Sequence, residues 1–255
     1  MMVDTATKYF LLCFVLFVVG SVAKPSKLLK NYERCSLSSP DKNACVINAL
    51  TSALPTIAKG VPSLGLFPVD PLRISFLEIN QKGNSAVQIK LRFKDLDIIN
   101  LSDSVLKDPK FDFVNYNFSL SLDTKKQIFL KGNYDVSGKV LILPITGNGT
   151  CKLTFDNFEA FGNIKLKKIV KNGAEYLSPQ KIIWTFTTSK MSLKLDNLFN
   201  GDKALGDNMN VFLNENWRDL LKDLQPAIEE ALVFVIFEYA KQFFGRVPLS
   251  ELLKD

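Results

Sequence analysis

Val87-Gln88-Ile89-Lys90-Leu91-Arg92-Phe93-Lys94 alternates without a break between apolar and polar side chains. Successive side chains of a strand point to opposite faces, so this run predicts a half-buried β-strand, greasy on one side and basic on the other. The same period of two recurs downstream. Val114, Tyr116, Phe118, Leu120 and Leu122 alternate with Asn115, Asn117, Ser119 and Ser121, and Ile128, Leu130, Gly132, Tyr134 and Val136 oppose mostly polar neighbours. In 150–158, Cys151, Leu153 and Phe155 alternate with Lys152, Thr154 and Asp156. Further strands are expected over 163–170, over 181–188 with Ile182, Trp184 and Phe186 on one face, and over 190–196 with Met191, Leu193 and Leu195. Ser137-Gly138 reads as the turn into a strand over 140–145, and Gly147-Asn148-Gly149 as another hairpin turn. Closely spaced strands with turn signals between them favour an antiparallel meander.

Helical spacing flanks this region on both sides. Over 40–60, with Ser39 as N-cap and Pro40 in the first turn, Ile47, Leu50, Leu54 and Ile57 recur at helical intervals, with a break expected at Pro55. Pro62, Pro68 and Pro71 then make 61–72 an extended connector. Asn214-Glu215-Asn216-Trp217 opens a long helix in which Trp217, Leu220, Leu221, Leu224 and Ile228 form one stripe, with a kink expected at Pro226. Residues 231–237 are apolar on every side, which predicts a helix enclosed by the rest of the protein; the segment is too short to span a bilayer. A curved antiparallel sheet around a long C-terminal helix is an α+β architecture.

The chain has 255 residues, 47% hydrophobic and 23% charged, enough for one globular unit with a sizeable core. Histidine is absent, which excludes Ser-His-Asp and Cys-His catalysis and His-ligated zinc or haem. The formal charge of +6 is spread along the chain, unlike a nucleic-acid footprint. Lys8, the apolar run over 9–19 and Ser21-Val22-Ala23 predict a signal peptide over 1–23, cleaved after Ala23. That leaves 24–255 as a single secreted domain with no stable membrane insertion. Secretion puts the remaining cysteines in an oxidising compartment. The spacing of Cys35 and Cys45 suits a local disulfide, which would contribute about 3 kcal/mol in the chain-entropy model. Cys151 points inward as a buried thiol.

The Cys35/Cys45 pair, Val69-Asp70-Pro71-Leu72-Arg73-Ile74, the run over 131–139, Leu195-Asp196-Asn197-Leu198 through Lys203, and Phe212 through Arg218 together resemble the insect takeout and juvenile-hormone-binding-protein family. The resemblance covers essentially the whole mature chain. It implies a highly curved sheet wrapped around one long helix, leaving an elongated tunnel for lipophilic ligands. The inward strand faces agree, and Val87, Ile89, Leu91, Phe93, Tyr116, Phe118, Leu130, Tyr134, Trp184 and Phe186 are the candidate lining. Tyr134 adds a hydroxyl able to bond an ester, epoxide or quinone oxygen. Hormone carriers of the family typically have a second disulfide, which Cys151 has no mature partner to form, so the resemblance is to takeout-like proteins of sensory, feeding or circadian contexts.

The function expected is therefore a secreted, monomeric carrier of a small hydrophobic molecule (a terpenoid hormone, fatty acid, quinone or odorant) with no cofactor and no catalysis. A second reading is a membrane-surface protein of the lipopolysaccharide-binding type, for which Lys165, Lys167, Lys168 and Lys171 offer a basic cluster toward an anionic membrane or a receptor. A lipid-modifying enzyme finds no support, since Gly-x-Ser-x-Gly is missing and the carboxylates Asp95, Asp97, Glu229 and Glu230 read as solvated. Three sequons, at Asn148, Asn117 and Asn100, are candidate glycosylation sites, ranked in that order by expected exposure.

Overall fold

The computed structural model describes residues 32–81 and 86–254; the expected signal peptide at 1–23 lies outside the described residues. The order of elements is β1 (Cys35–Ser36), α1 (Lys42–Ala58), β2 (Leu72–Asn80), β3 (Val87–Ile99), β4 (Ser104–Asp112), β5 (Asn117–Thr124) and β6 (Ile128–Val140). There follow β7 (Leu143–Asp156), β8 (Glu159–Lys171), β9 (Ala174–Thr187), β10 (Lys190–Leu195), α2 (Lys203–Glu215), α3 (Trp217–Phe244), α4 (Leu249–Leu252) and β11 (Leu253–Lys254). The strands form a five-stranded sheet in the order β10-β7-β6-β3-β2 and a four-stranded sheet in the order β4-β5-β8-β9. Every neighbouring pair in both is antiparallel. Antiparallel sheets with a long C-terminal helix are the α+β architecture that the sequence predicts.

The alternation that begins at Val87 holds to Phe93 and then changes phase. A β-bulge between Lys94 and Asp97, with Asp95 at φ 50°, inserts one extra residue against β6. Leu96 and Ile98 are thereby buried with Val87, Ile89 and Phe93, while Asp97 turns outward to accept a two-pronged bond from Arg73 at 2.7 and 2.5 Å.

Two expected turns prove to be strand interior. Ser137-Gly138 lies within β6 and Gly147-Asn148-Gly149 within β7, and the hairpin joining them is Leu141-Ile142, closed by the Val140/Leu143 pair. These glycines serve close approach. A Cβ on Gly138 would stand 2.2 Å from the Gln88 carbonyl oxygen, and one on Gly149 would stand 2.4 Å from that of Asp196. Val114 and Tyr116, expected inside a strand, instead occupy the β4–β5 turn; Tyr116 has φ 48° and Val114 is 87% exposed.

The helices also depart from expectation in detail. α1 starts with Asp41 at its N-cap, and Ser39 Oγ accepts from the Asp41 N–H at 3.2 Å. The helix runs through Pro55, which forgoes one intrahelical bond near its last turn. α3 likewise continues through Pro226 for 28 residues, about 42 Å of rise.

α3 packs on β9 of one sheet and on β10, β2 and β3 of the other, so it joins both sheets. The short helix α2 covers the edge strand β10. Asn214 exchanges hydrogen bonds with the Leu193 backbone at 3.0 and 2.7 Å, and Asn210 does the same with Leu195 at 2.9 Å each way. Two amides one helical turn apart thus substitute for a neighbouring strand.

Burial divides into two cores. The large one gathers Ile74, Phe93, Leu96, Ile128, Tyr134, Phe155 and Phe186 from the sheets with Met209, Leu213, Trp217, Leu220, Leu221 and Leu224 from the helices. The small one gathers Cys35, Val46, Ala49, Val61, Leu64, Leu66, Val247, Leu252 and Leu253. The expected disulfide, Cys35–Cys45, is formed across a Cα separation of 5.8 Å and anchors the small core.

Candidate functional site

Helical spacing sets the inward stripe of α3: Trp217, Leu221, Leu224, Ile228, Leu232, Val235, Tyr239, Phe243. Its first half is sealed. Trp217, Leu220, Leu221 and Leu224 are all buried, and polar side chains pin this half to both sheets. Asp223 accepts from the Val87 N–H at 3.1 Å, and Gln225 donates to the Phe186 carbonyl at 2.8 Å and to Glu229 at 2.7 Å.

The second half is covered differently. Ala227, Ile228, Leu232 and Val235 pack against the large core yet remain only partly buried. None of residues 231–237 is buried, and Phe234 is 68% exposed. The expectation that this segment is enclosed on every side is therefore corrected. α3 keeps an outward stripe of Arg218, Lys222, Pro226, Glu230 and Phe234 in solvent. Among the described residues, no helix is long and apolar enough to cross a membrane.

Most of the residues proposed as lining fall into two groups. Val87, Ile89, Phe93, Tyr134 and Phe186 are buried in the large core, where they pack against protein. Leu91, Leu130 and Trp184 are half-buried at its margin, with Leu77, Leu122 and Phe158 beside them. Trp184 and Phe158 both stack near Phe186, at 5.4 and 5.3 Å between ring centroids. Phe118 belongs to a separate trio, 5.6 Å from Phe111 and 5.7 Å from Phe113, toward the small core. Half-buried apolar surface at the margin of the large core thus comes from Leu91, Leu130 and Trp184 on the strands and, on α3, from Ile228, Leu232 and Val235.

Three inward polar groups differ in their partners. Tyr134 is 3% exposed and donates its hydroxyl to the Asp196 carbonyl at 2.8 Å, so the donor expected to face a ligand is engaged by backbone. Burial, with the Asp196 charge, pushes that phenol up to about 12. Cys151 is a free buried thiol whose pKa burial pushes up to about 11, the state of an inert core cysteine. Tyr239 was not singled out from sequence. It continues the helical stripe four residues past Val235, a spacing that sequence alone contains, and its phenol is pushed above the ordinary value by burial.

The outer faces carry charge in pairs. Glu78 meets Lys90 at 3.6 Å and Arg92 at 3.1 Å, which balances the basic side of β3. Glu229 accepts from Thr185 at 2.6 Å, and hydrogen bonding from Arg73 holds the Asp97 carboxyl below its ordinary range. Of the lysine cluster, Lys168 pairs with Glu175 at 2.8 Å, while Lys165, Lys167 and Lys171 are exposed on β8. Asn148 and Asn117 are exposed at strand positions. Asn100 follows the end of β3 and donates its Nδ2 to the Gln127 carbonyl at 2.7 Å.

Comparison with known proteins connects these features. The family model for haemolymph juvenile hormone binding protein matches residues 11–254. Circadian clock-controlled protein daywake, from Drosophila yakuba and from Drosophila melanogaster, is in each case 24% identical over 229 residues, 87% of this chain and 86% of the relative. A putative beta-carotene-binding protein of Schistocerca gregaria is 23% identical over 217 residues, 84% of this chain and 85% of its own. The crystal structure of Epiphyas postvittana Takeout 1 superposes with a TM-score of 0.75 at 29% identity, over 88% of this chain and 100% of that one. With nearly its whole length matched, and with the fold of Takeout 1, the chain belongs to the haemolymph juvenile hormone binding protein family.

Proposed function

We propose that the protein is a secreted carrier that holds a small lipophilic molecule between its sheets, beside the second half of α3. One observation carries this reading: the inward stripe from Ile228 to Val235 is apolar and faces the core, yet protein atoms only partly cover it. Membership of a family of ligand carriers supports it, and supports a carrier rather than an enzyme. Burying roughly 400 Å² of apolar ligand at about 25 cal/mol per Å² yields on the order of 10 kcal/mol gross, against which the ordering costs of association are set. Terpenoids, fatty acyl compounds and quinones have the required shape and polarity, and a relative named for beta-carotene fits that range.

Mass spectrometry of the protein secreted from a eukaryotic host tests the reading, comparing the native complex with its denatured organic extract. A stoichiometric lipophilic molecule released on denaturation is the expected result. An empty protein that also refuses terpenoids, fatty acids and quinones would overturn it. The same sample tests the proposed cleavage after Ala23 and glycan attachment, which solvent exposure favours at Asn148 and Asn117 over Asn100. Daily cycling of expression is proposed from the daywake relatives and is read from transcript levels over a day.

A specific observation favours contact with anionic membranes as a second property. The β8–β9 hairpin presents Ile169 and Val170, 37% and 71% exposed, among Lys165, Lys167 and Lys171. Apolar tips flanked by cations suit an anionic lipid surface. Salt-sensitive sedimentation with phosphatidylserine vesicles, weakened in a Lys167→Glu/Lys171→Glu variant, is the expected result. Equal sedimentation with neutral vesicles would refute it.

A further inference from the structure

Among the described residues, one buried side-chain polar atom has no hydrogen-bond partner: the hydroxyl oxygen of Tyr239. A buried donor without a partner loses its hydration and gains nothing in exchange, so such groups are rare in native proteins and each needs an explanation. Tyr239 lies on α3 four residues after Val235 and four before Phe243. Val235 packs on the large core, whereas Tyr239 and Phe243 pack on the small one. Tyr239 is therefore where the helix passes from the large core to the small one, at the far end of the half-buried apolar stripe. Its ring is held edge-on to Phe67, with centroids 5.2 Å apart.

The chemistry of the surroundings narrows the partner. Burial keeps the phenol protonated, so it offers a donor. No Lys, Arg, Asp or Glu is among the buried residues described. An anionic head group would thus be desolvated with no buried cation to compensate it, whereas a neutral oxygen would accept the bond without that cost.

We propose that Tyr239 is the polar anchor of the carried molecule, donating its hydroxyl proton to a neutral ester, ketone or quinone oxygen at one end of a hydrocarbon that lies along α3. The proposal rests on the carrier reading and adds a selectivity to it, for oxygenated lipids over bare hydrocarbons.

Displacement of the fluorescent probe N-phenyl-1-naphthylamine by methyl farnesoate and by farnesene compares an ester with a related hydrocarbon. The wild-type protein is expected to bind the ester about five- to tenfold more tightly, the worth of one net hydrogen bond. Tyr239→Phe should abolish that preference and leave farnesene unchanged. Because the substitution removes a donor that has no partner in the free protein, the ligand-free variant should melt no lower than wild type. Two results overturn the anchor while the carrier stands: no ester preference in the wild type, or a preference that survives in Tyr239→Phe. A lower melting temperature for the ligand-free variant shows that the hydroxyl serves the fold, and also overturns it. A wild-type protein that binds neither compound nor the probe removes the carrier reading and the anchor together.

Discussion

Both halves of α3 pack against the large core, yet protein covers them to different degrees. From Trp217 to Leu224 the inward side chains are buried, and Asp223 and Gln225 tie the helix to β3 and β9. From Ala227 to Val235 it carries apolar side chains that the sheets only partly cover. Composition does not set this difference, since the second half is the more apolar and yet the less covered; what differs is how far protein covers the inward face. Hydrophobic content reports the wish to leave water, and coverage reports whether the chain itself satisfies it.

The sharpest test of that contrast is truncation in each half. Leu224→Ala should lower the free energy of urea unfolding by about 3 kcal/mol, because a sealed site cannot collapse around the missing methyls. Leu232→Ala should cost about 1 kcal/mol or less in the ligand-free protein. Equal losses at the two positions would erase the distinction.

The disulfide tests how far the small core depends on a covalent tie. Replacing Cys35 and Cys45 together by Ser should cost about 3 kcal/mol through the freed loop, read from thermal or urea unfolding without reductant. Filling the space opposite the second half gives a third test. Leu232→Trp should reduce probe binding about tenfold while changing stability by about 1 kcal/mol or less, whereas overpacking a filled core would cost about 1–3 kcal/mol.

The two tyrosines sharpen the comparison further. Tyr134→Phe removes a bond to the Asp196 carbonyl and should cost about 1 kcal/mol of stability with ligand affinity unchanged, the reverse of what is expected at Tyr239. The smallest effect concerns acid. Burial raises the Asp70 pKa, but hydrogen bonds from Ser102 and the Asn100 N–H, aided by Lys126, outweigh it and hold the carboxyl below the ordinary 3.8. A depressed folded-state pKa contributes stability that is present above the unfolded value and is lost as pH falls through the folded one. Asp70→Asn should therefore flatten the loss of stability below about pH 4 in a pH series of melting temperatures.

Much of this arrangement is legible in the sequence. The alternation at 87–94 and its successors identifies most strands, and the stripe beginning at Trp217 identifies the long helix. What escapes is decided by neighbours distant in sequence. β4 has Asp108, Pro109 and Lys110 in its middle and does not read as a strand, but pairing with β5 holds it there. Gly138 and Gly149 look like turn residues because glycine permits tight turns; here it permits the backbones of β3 and the segment after β10 to come close. The bulge at Asp95 shows in the sequence only as a change of phase, from apolar residues at 89, 91 and 93 to apolar residues at 96 and 98. Tyr134 and Tyr239 are indistinguishable as inward tyrosines until Asp196 is seen to meet one of them.

The parallel pairing of β1 with β11 sets Cys35 beside Leu253, joining segments from opposite ends of the described chain. During synthesis this clasp cannot close until residue 253 has left the ribosome, so the small core is completed after the sheets have had time to assemble. Order of manufacture thereby leaves the small core open longest.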